Sequence, residues 1–394
     1  MGKHIPVHTL QEQYAGVVLA TGAQSRRELR IPGSNLHGVM DARRFVDWYN
    51  GHPGFTSLPS NFESQLKHVH TAVIIGNGNV ALDCARVLVK QPGELASTDI
   101  AQHALDALQS CGVQQVHVVG RRGAVQAAFT IKELRELTQL QGVTTLVHPD
   151  EIQRGLTTAS AAELAASRAR KRQDKLLSGL PTAGNAPAGD KAIHLRFCQS
   201  PVECLDDGNG AVHALRLEGT QLEGGEAGQQ AVGTGQLHDL ECQMVLSSIG
   251  YSGVAIQGVP FDPARGVVPS SASRVLDLQT GSTCAGLYVT GWLRRGPSGI
   301  IGTNIADAKQ TVAAVLQDMQ AGTAVAPGSK GGWRGVLDTL GGQQRGPFVS
   351  WLGAKAILAL EEDRGATRGK PREKVTDVKE MLDIAAGCPG GLWG

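Results

Sequence analysis

The sequence predicts an α/β protein of two Rossmann-like units, one inserted into the other. Two observations carry this. Residues 71–90 run from a buried strand through a glycine turn into a helix, and about 220 residues later Leu287–Trp292 leads into a second glycine-rich turn and a helix from Ile305 to Met319. The first turn, Gly76-Asn77-Gly78-Asn79-Val80-Ala81, is the G-x-G-x-x-A form of the dinucleotide fingerprint. Gly76 permits the tight turn, Gly78 lets the backbone approach a pyrophosphate, and Ala81 lets the helix pack close to the strand. A helix starting at Val80 aims its free amides and positive dipole end at phosphate.

In chain order, residues 15–20 read as a buried strand followed by an Ala-Thr-Gly turn. A helix capped by Asp41 spans Asp41 to Tyr49, and 53–64 is polar loop. After the fingerprint, Thr98-Asp99 opens a helix ending near Gly112, and Val116–Val119 is another buried strand. It ends in Arg121-Arg122, where a free ribose hydroxyl would call for a carboxylate; arginines suit a 2′-phosphate, so the dinucleotide is NADPH rather than NADH. The bland alternative for the pair is a solvated turn. Helical periodicity covers 126–141, Val143–Val147 is a strand, and 160–177 is one helix carrying Arg168, Arg170, Lys171, Arg172 and Lys175. A linker of small residues (181–189) precedes an antiparallel meander from Ile193 to about Gly250, which finishes in the strand Met244–Ile249. The glycines of 296–302 offer a second anion-ready helix start, so two such sites imply two nucleotides. From Gln320 onward come loops and short helices, ending in an amphipathic turn around 378–384.

At 394 residues the chain is long enough for two domains with sizeable cores, and a net charge of +1 argues against a nucleic-acid partner. The seven cysteines are scattered with no C-x-x-C, which excludes a cysteine-only cluster or dithiol centre at motif level and points to a reducing compartment; no metal site is expected. No apolar run reaches the roughly 20 residues that span a bilayer.

Several longer stretches resemble the adrenodoxin reductases and the related bacterial ferredoxin–NADP reductases. These are Gly-Asn-Gly-Asn-Val-Ala-Leu-Asp at 76–83, Val-Gly-Arg-Arg-Gly at 119–123, Ala-Phe-Thr-Ile-Lys-Glu-Leu-Arg-Glu at 128–136 and Gly-Trp-Leu-Arg-Arg-Gly-Pro-Ser-Gly-Ile-Ile-Gly-Thr-Asn at 291–304. Phe45–Asn50 and Lys-Pro-Arg-Glu-Lys at 370–374 match too. The resemblance implies a flavoprotein that takes a hydride from NADPH onto FAD and passes electrons singly to an acidic [2Fe–2S] ferredoxin of the adrenodoxin type. It implies that Asn77, Gly78, Asn79 and Val80 hold the pyrophosphate, Arg121 and Arg122 the 2′-phosphate, and Glu133 the nicotinamide side. It further implies that Trp292, Gly299, Ile300 and Ile301 line FAD, and that Arg168 and Arg172, one turn apart, dock the ferredoxin. Glu133 and Asp83 are the candidates for catalytic roles. By the residues alone, Glu133 is equally an exposed helix acid, Trp292 a core side chain, and Asp83 a complement to the helix dipole.

The same resemblance implies three segments: a remnant of the FAD domain at 1–30, the NADP domain at 31–256 and the C-terminal part of the FAD domain at 257–394. The family's N-terminal βαβ unit for the FAD diphosphate has no counterpart here, so strand 15–20 is expected to lack partners. The alternative function is therefore a truncated, catalytically incompetent NADPH-binding fragment. A thioredoxin-reductase type is disfavoured by the missing C-x-x-C. The eukaryotic branch of the family implies a mitochondrial location, with any membrane contact peripheral, at the inner membrane.

Overall fold

The computed structural model describes residues 5–183, 191–225, 228–299, 301–323, 330–340 and 348–393. The chain divides into two compact units: one comprises 1–27, 250–348 and 393–394, the other 28–249 and 349–392. The first is therefore interrupted by the second. The segment 349–392, grouped by sequence with the C-terminal part of the FAD domain, instead packs with the middle of the chain. The reason is polar. The buried Lys370 ammonium donates to the Ile100 carbonyl at 2.6 Å, Glu373 accepts from the Gln102 amide at 3.1 Å, and Lys374 pairs with Asp99 at 3.3 Å.

The larger unit is built on six parallel strands in the order Val39–Asp41, Met244–Ser247, Thr71–Ile75, Gln115–Val119, Lys191–Arg196, Val143–Val147. Thr71–Ile75 is central: Ile75 lies opposite Val119 on one side and Ser247 on the other. Its residues 72–75 are buried, as expected for a β-branched run covered on both faces. On one face Ala81, Ala85 and Leu88 of the helix Asn79–Val89 enter a core with Ile74, Val116 and Leu134. On the other, Leu215 and Leu217 of an antiparallel three-stranded sheet close over Val73, Ile75 and Val119.

Several expectations change. Lys191–Arg196 is a parallel strand of the main sheet, so the meander begins only at Gln199, where the chain crosses to the antiparallel sheet. The polar stretch 53–64 is largely 3₁₀ helix, anchored by buried Leu58, Phe62 and Leu66. The helix placed from Thr98 starts at Gln102, and within 126–141 only Ile131–Leu137 is α-helical, because 128–129 bonds to the fingerprint turn instead. The single helix over 160–177 is two, Thr158–Ala166 and Arg168–Ser178. They are broken at Ser167, whose extended backbone lets its hydroxyl cap the second at Arg170 N. Trp351–Ala366 is a full 16-residue helix, not a short one. Of the linker, 184–190 lies outside the described residues.

The smaller unit holds a four-stranded sheet in the order Val17–Leu19, Thr283–Val289, Arg274–Leu276, Ser270–Ser271. The strand expected to be partnerless has one partner: Val17–Leu19 runs parallel to Leu287–Val289. It is nevertheless an edge, and only Leu19 is buried while Val18 is 47% exposed, which corrects the buried-strand reading. Leu19, Val289, Leu293 and Val268 form this unit's core.

Candidate functional site

In the larger unit the chain leaves the central strand at Gly76, with φ 122°, a left-handed value only glycine adopts without strain. A Cβ here would sit 2.2 Å from the Ser248 carbonyl oxygen, so the neighbouring strand end closes this side of the turn. Gly78 differs: its φ is −111° and a Cβ would meet no atom within 4 Å. The helix that follows has no side-chain cap, and the amides of Gly78, Asn79 and Val80 donate to no group among the described residues. Three unsatisfied donors at the positive end of an 11-residue helix, beside an open glycine, form an anion cradle. NADPH diphosphate fits it.

The two asparagines shape this cradle from behind. The Asn77 carbonyl accepts from the Ala128 amide at 2.8 Å and the Phe129 amide at 3.1 Å, and its side-chain Nδ2 lies 3.4 Å from the Arg196 carbonyl. A Cβ on Gly120 would fall 1.9 Å from that Nδ2. The Asn77 side chain thus points beneath the neighbouring strand's turn, and not out towards a ligand. Asn79 Oδ1 accepts from the Thr130 amide at 2.8 Å, and the Thr130 hydroxyl in turn donates to Glu133. The turn 76–81 and the helix bearing Glu133 are therefore one hydrogen-bonded body.

Asp83 faces that helix. Arg86 bonds Asp83 at 2.7 Å and also pairs with Glu136. Burial raises the Asp83 carboxyl above the usual range; Arg86 opposes this, while Glu133 and Glu136 add to it. The arrangement is one guanidinium shared among carboxylates across two packed helices.

Arg121 and Arg122 follow the adjacent strand and are exposed. Their carbonyls are fixed, Arg121 by the Thr220 hydroxyl at 2.7 Å and Arg122 by the Cys198 amide at 3.0 Å. Neither guanidinium has a partner among the described residues. A rigid backbone with two free planar cations is suited to a phosphate dianion.

The strand that leads into this loop carries part of a cluster that sequence reasoning missed. His117 and His194, opposite each other on adjacent strands, stack with ring centroids 4.3 Å apart. His148 Nε2 lies 3.3 Å from His194 Nδ1. Burial pushes His117 down to about 2 and His194 to about 4, with the neighbouring rings and Arg196 adding to it, and burial lowers His148 as well. Beside them Arg196 pairs with the buried Glu151 at 2.7 Å. The alternation of histidine with valine reads as an apolar strand; only the matched register reveals the stack.

On the basic helix Arg168 and Arg172 are exposed and without partners among the described residues. Cys84, Cys198, Cys204 and Cys242 are buried, and burial pushes all four thiols up, which makes them poor nucleophiles.

The smaller unit has its own glycine turn. Gly291 (φ 68°) enters the short helix Trp292–Arg295. Its amide donates to buried Asp307, which also accepts from the Thr290 hydroxyl at 3.1 Å and pairs with Arg294. Arg294 bonds Ser273 at 2.8 Å and Gln310 at 2.7 Å, while Arg295 bonds the Ser298 carbonyl, Thr303 and Asn304. The Gly291 amide and the terminal guanidinium nitrogens of Arg294 and Arg295 are thus engaged internally, while Nε of both arginines is buried with no partner among the described residues. Trp292 stacks on Tyr251 at 6.0 Å, and its indole N–H is buried with no partner among the described residues. An orphaned donor beside stacked rings suits a flat heteroaromatic ligand with acceptor atoms, as FAD is. At Gly299 (φ 86°) a Cβ would lie 2.4 Å from the Thr303 hydroxyl. Ile300 and the side chain of Ile301 lie outside the described residues.

No protein-family model matches the chain. Individual relatives do. It is 42% identical over 395 residues to the mitochondrial NADPH:adrenodoxin oxidoreductase of Arabidopsis thaliana, spanning 98% of this chain and 80% of that one. The Homo sapiens protein of the same name is 41% identical over 394 residues, with coverage of 98% and 77%. NADPH-ferredoxin reductase FprA of Mycobacterium tuberculosis is 38% identical over 391 residues, with coverage of 98% and 82%. The solved structure of FprA in complex with NADPH matches with a TM-score of 0.86, covering 98% of this chain and 81% of that one.

Proposed function

The chain belongs to the NADPH:adrenodoxin oxidoreductase family, and from that premise we propose how its residues serve the family's reaction. It is a flavoprotein reductase that moves electrons from NADPH through FAD to a ferredoxin- or adrenodoxin-type iron–sulfur protein. The inserted unit is the NADP domain, and the unit it interrupts carries the FAD-binding residues. The observation that supports this best is the cradle at Gly78–Val80 standing near two unpaired guanidiniums on a pinned loop.

The amides of Gly78, Asn79 and Val80 take the diphosphate, while Asn77 contributes by holding the turn against Ala128 and Phe129. Arg121 and Arg122 take the 2′-phosphate and so discriminate against NADH. Glu133, held by Thr130, orients the nicotinamide carboxamide. Asp83 is linked to the helix bearing Glu133 through Arg86 and Glu136 and keeps that network's geometry, a positioning role. Trp292 offers its orphaned N–H to FAD, with Gly299, Ile300 and Ile301 as neighbours in the same loop. When bound, FAD supplies the conversion of one hydride into two single electrons. The protein's contribution is orientation and phosphate recognition. Arg168 and Arg172 receive the acidic partner.

The plant and animal relatives are mitochondrial by name, which supports a mitochondrial location. No described helix is long and apolar enough to cross a membrane.

The test is the visible spectrum of the purified chain, followed by NADPH-driven reduction of an acidic [2Fe–2S] ferredoxin. Flavin bands at about one per chain with turnover support the reading. A colourless chain that still binds NADPH would leave only a dinucleotide-binding module.

A further inference from the structure

The run Arg168-Ala169-Arg170-Lys171-Arg172 looks like one undivided patch of charge. The helix separates it into two faces. Arg168, Lys171, Arg172 and Lys175 recur at i, i+3, i+4 and i+7 and all four are exposed. Arg170 lies on the opposite side with Gln173 and Leu177, both buried. There its guanidinium donates to the Val125 carbonyl and pairs with Glu163 at 2.8 Å. The other oxygen of Glu163 accepts from Gln126 Nε2 at 3.0 Å, and that nitrogen also lies 3.2 Å from the Ser160 hydroxyl. Val125 and Gln126 close the loop that begins with Arg121 and Arg122. Within it a Cβ on Gly123 would come 2.8 Å from the Gly155 Cα, so the loop is pressed against the helix Pro149–Gly155.

We propose that Arg170 is a positioning residue: with Glu163 it clamps the basic helix to the loop that presents Arg121 and Arg122. It does not touch the iron–sulfur partner. The proposal rests on the docking role given to the outward face, which it deepens by separating cations that bind from one that holds the binding face in place. A bidentate fork is needed for this, since one guanidinium serves a carbonyl and a carboxylate together; a lysine ammonium in its place keeps the charge and loses the geometry.

The decisive variant is Glu163→Gln, because the two accounts give it opposite signs. Removing a negative charge beside a basic patch tightens an acidic partner if long-range electrostatics is all that matters. Releasing the clamp weakens it, by about five-fold, with the dependence on salt unchanged because the docking cations are intact. Arg170→Lys follows in the same direction, whereas Arg168→Lys and Arg172→Lys stay within about two-fold. Affinity is measured on the full chain with an acidic [2Fe–2S] ferredoxin at several ionic strengths. The ratio of NADPH to NADH affinity on the same samples falls about two-fold in both clamp variants as the arginine loop loosens. Unchanged or tighter ferredoxin binding by Glu163→Gln, with Arg170→Lys as benign as its neighbours, overturns the proposal. Arg168→Glu/Arg172→Glu separates the two readings. If that pair leaves ferredoxin affinity intact, the docking role fails, and the NADPH ratio in the clamp variants alone then decides the clamp.

Discussion

Two glycine turns, one in each unit, look alike in sequence and differ in what they leave free. At 76–81 the strand is central, the glycines separate into one that closes against Ser248 and one that is open, and the first-turn amides are unspent. At 291–295 the chain follows a strand whose parallel neighbour is a sheet edge, and a buried carboxylate, Asp307, already occupies the Gly291 amide and the Arg294 side chain. The lesson is that glycine spacing reports close backbone approach, and the hydrogen-bond account decides whether that approach serves a ligand or the protein itself. The first turn leaves its backbone donors free; the second engages the Gly291 amide with Asp307 and leaves the Trp292 indole N–H free among the described residues.

The comparison breaks most sharply within the first turn. Gly76→Ala combines a left-handed φ with a clash against backbone, and is expected to cost on the order of 3 kcal/mol, read as a lowered Tm. Gly78→Ala, with open space and an ordinary φ, should leave Tm within a degree or two and weaken NADPH binding at least ten-fold, as its methyl would stand in the proposed diphosphate cradle. Equal effects of the two on Tm would contradict the division of labour. Next in size, Arg121→Ala/Arg122→Ala should lower the preference for NADPH over NADH about 100-fold by titration, with NADH affinity little changed.

A third prediction concerns His117, His194 and His148. Their folded-state values lie below the ordinary 6.5, so the folded state favours neutral rings. The stability this gives is complete above about pH 6.5 and is lost as pH falls, up to about 2 kcal/mol for each of His117 and His194 by pH 5. Thermal melts from pH 7.5 to 5 should show Tm falling, and His194→Gln should flatten the fall. An unchanged slope in that variant would remove the stack from the account. The smallest effect belongs to the second turn: Trp292→Phe keeps the stack on Tyr251 and loses the indole donor, and should weaken flavin retention by a few-fold without moving NADPH affinity.

The elements legible in sequence were those with uniform burial or a side-chain cap. Thr71–Ile75 and Met244–Ser247 announce themselves through buried, mainly apolar runs, and the helix Ala42–Tyr49 through its Asp41 cap. What escaped was held by polar contacts that carry no periodic signal. The helix Pro149–Gly155 is seated by buried Glu151, which bonds Arg196, the Phe197 amide and Gln199. Segment 349–392 is fastened by Lys370 and Glu373, and Ser167 breaks a helix that composition alone would continue. At the site, residue types were readable and directions were not: Asn77 belongs to the fingerprint yet turns inward, and Arg170 shares a run with the exposed Arg168 and Arg172 yet turns to Val125 and Glu163.

The account depends on the free amides at 78–80 and the free guanidiniums at 121–122 acting on one phosphorylated dinucleotide. Its most direct test is a side-by-side titration of the purified chain with NADPH and NADH. Tighter NADPH binding by about 100-fold, abolished in Arg121→Ala/Arg122→Ala, is the predicted result. Equal affinities in the unmodified chain would contradict it.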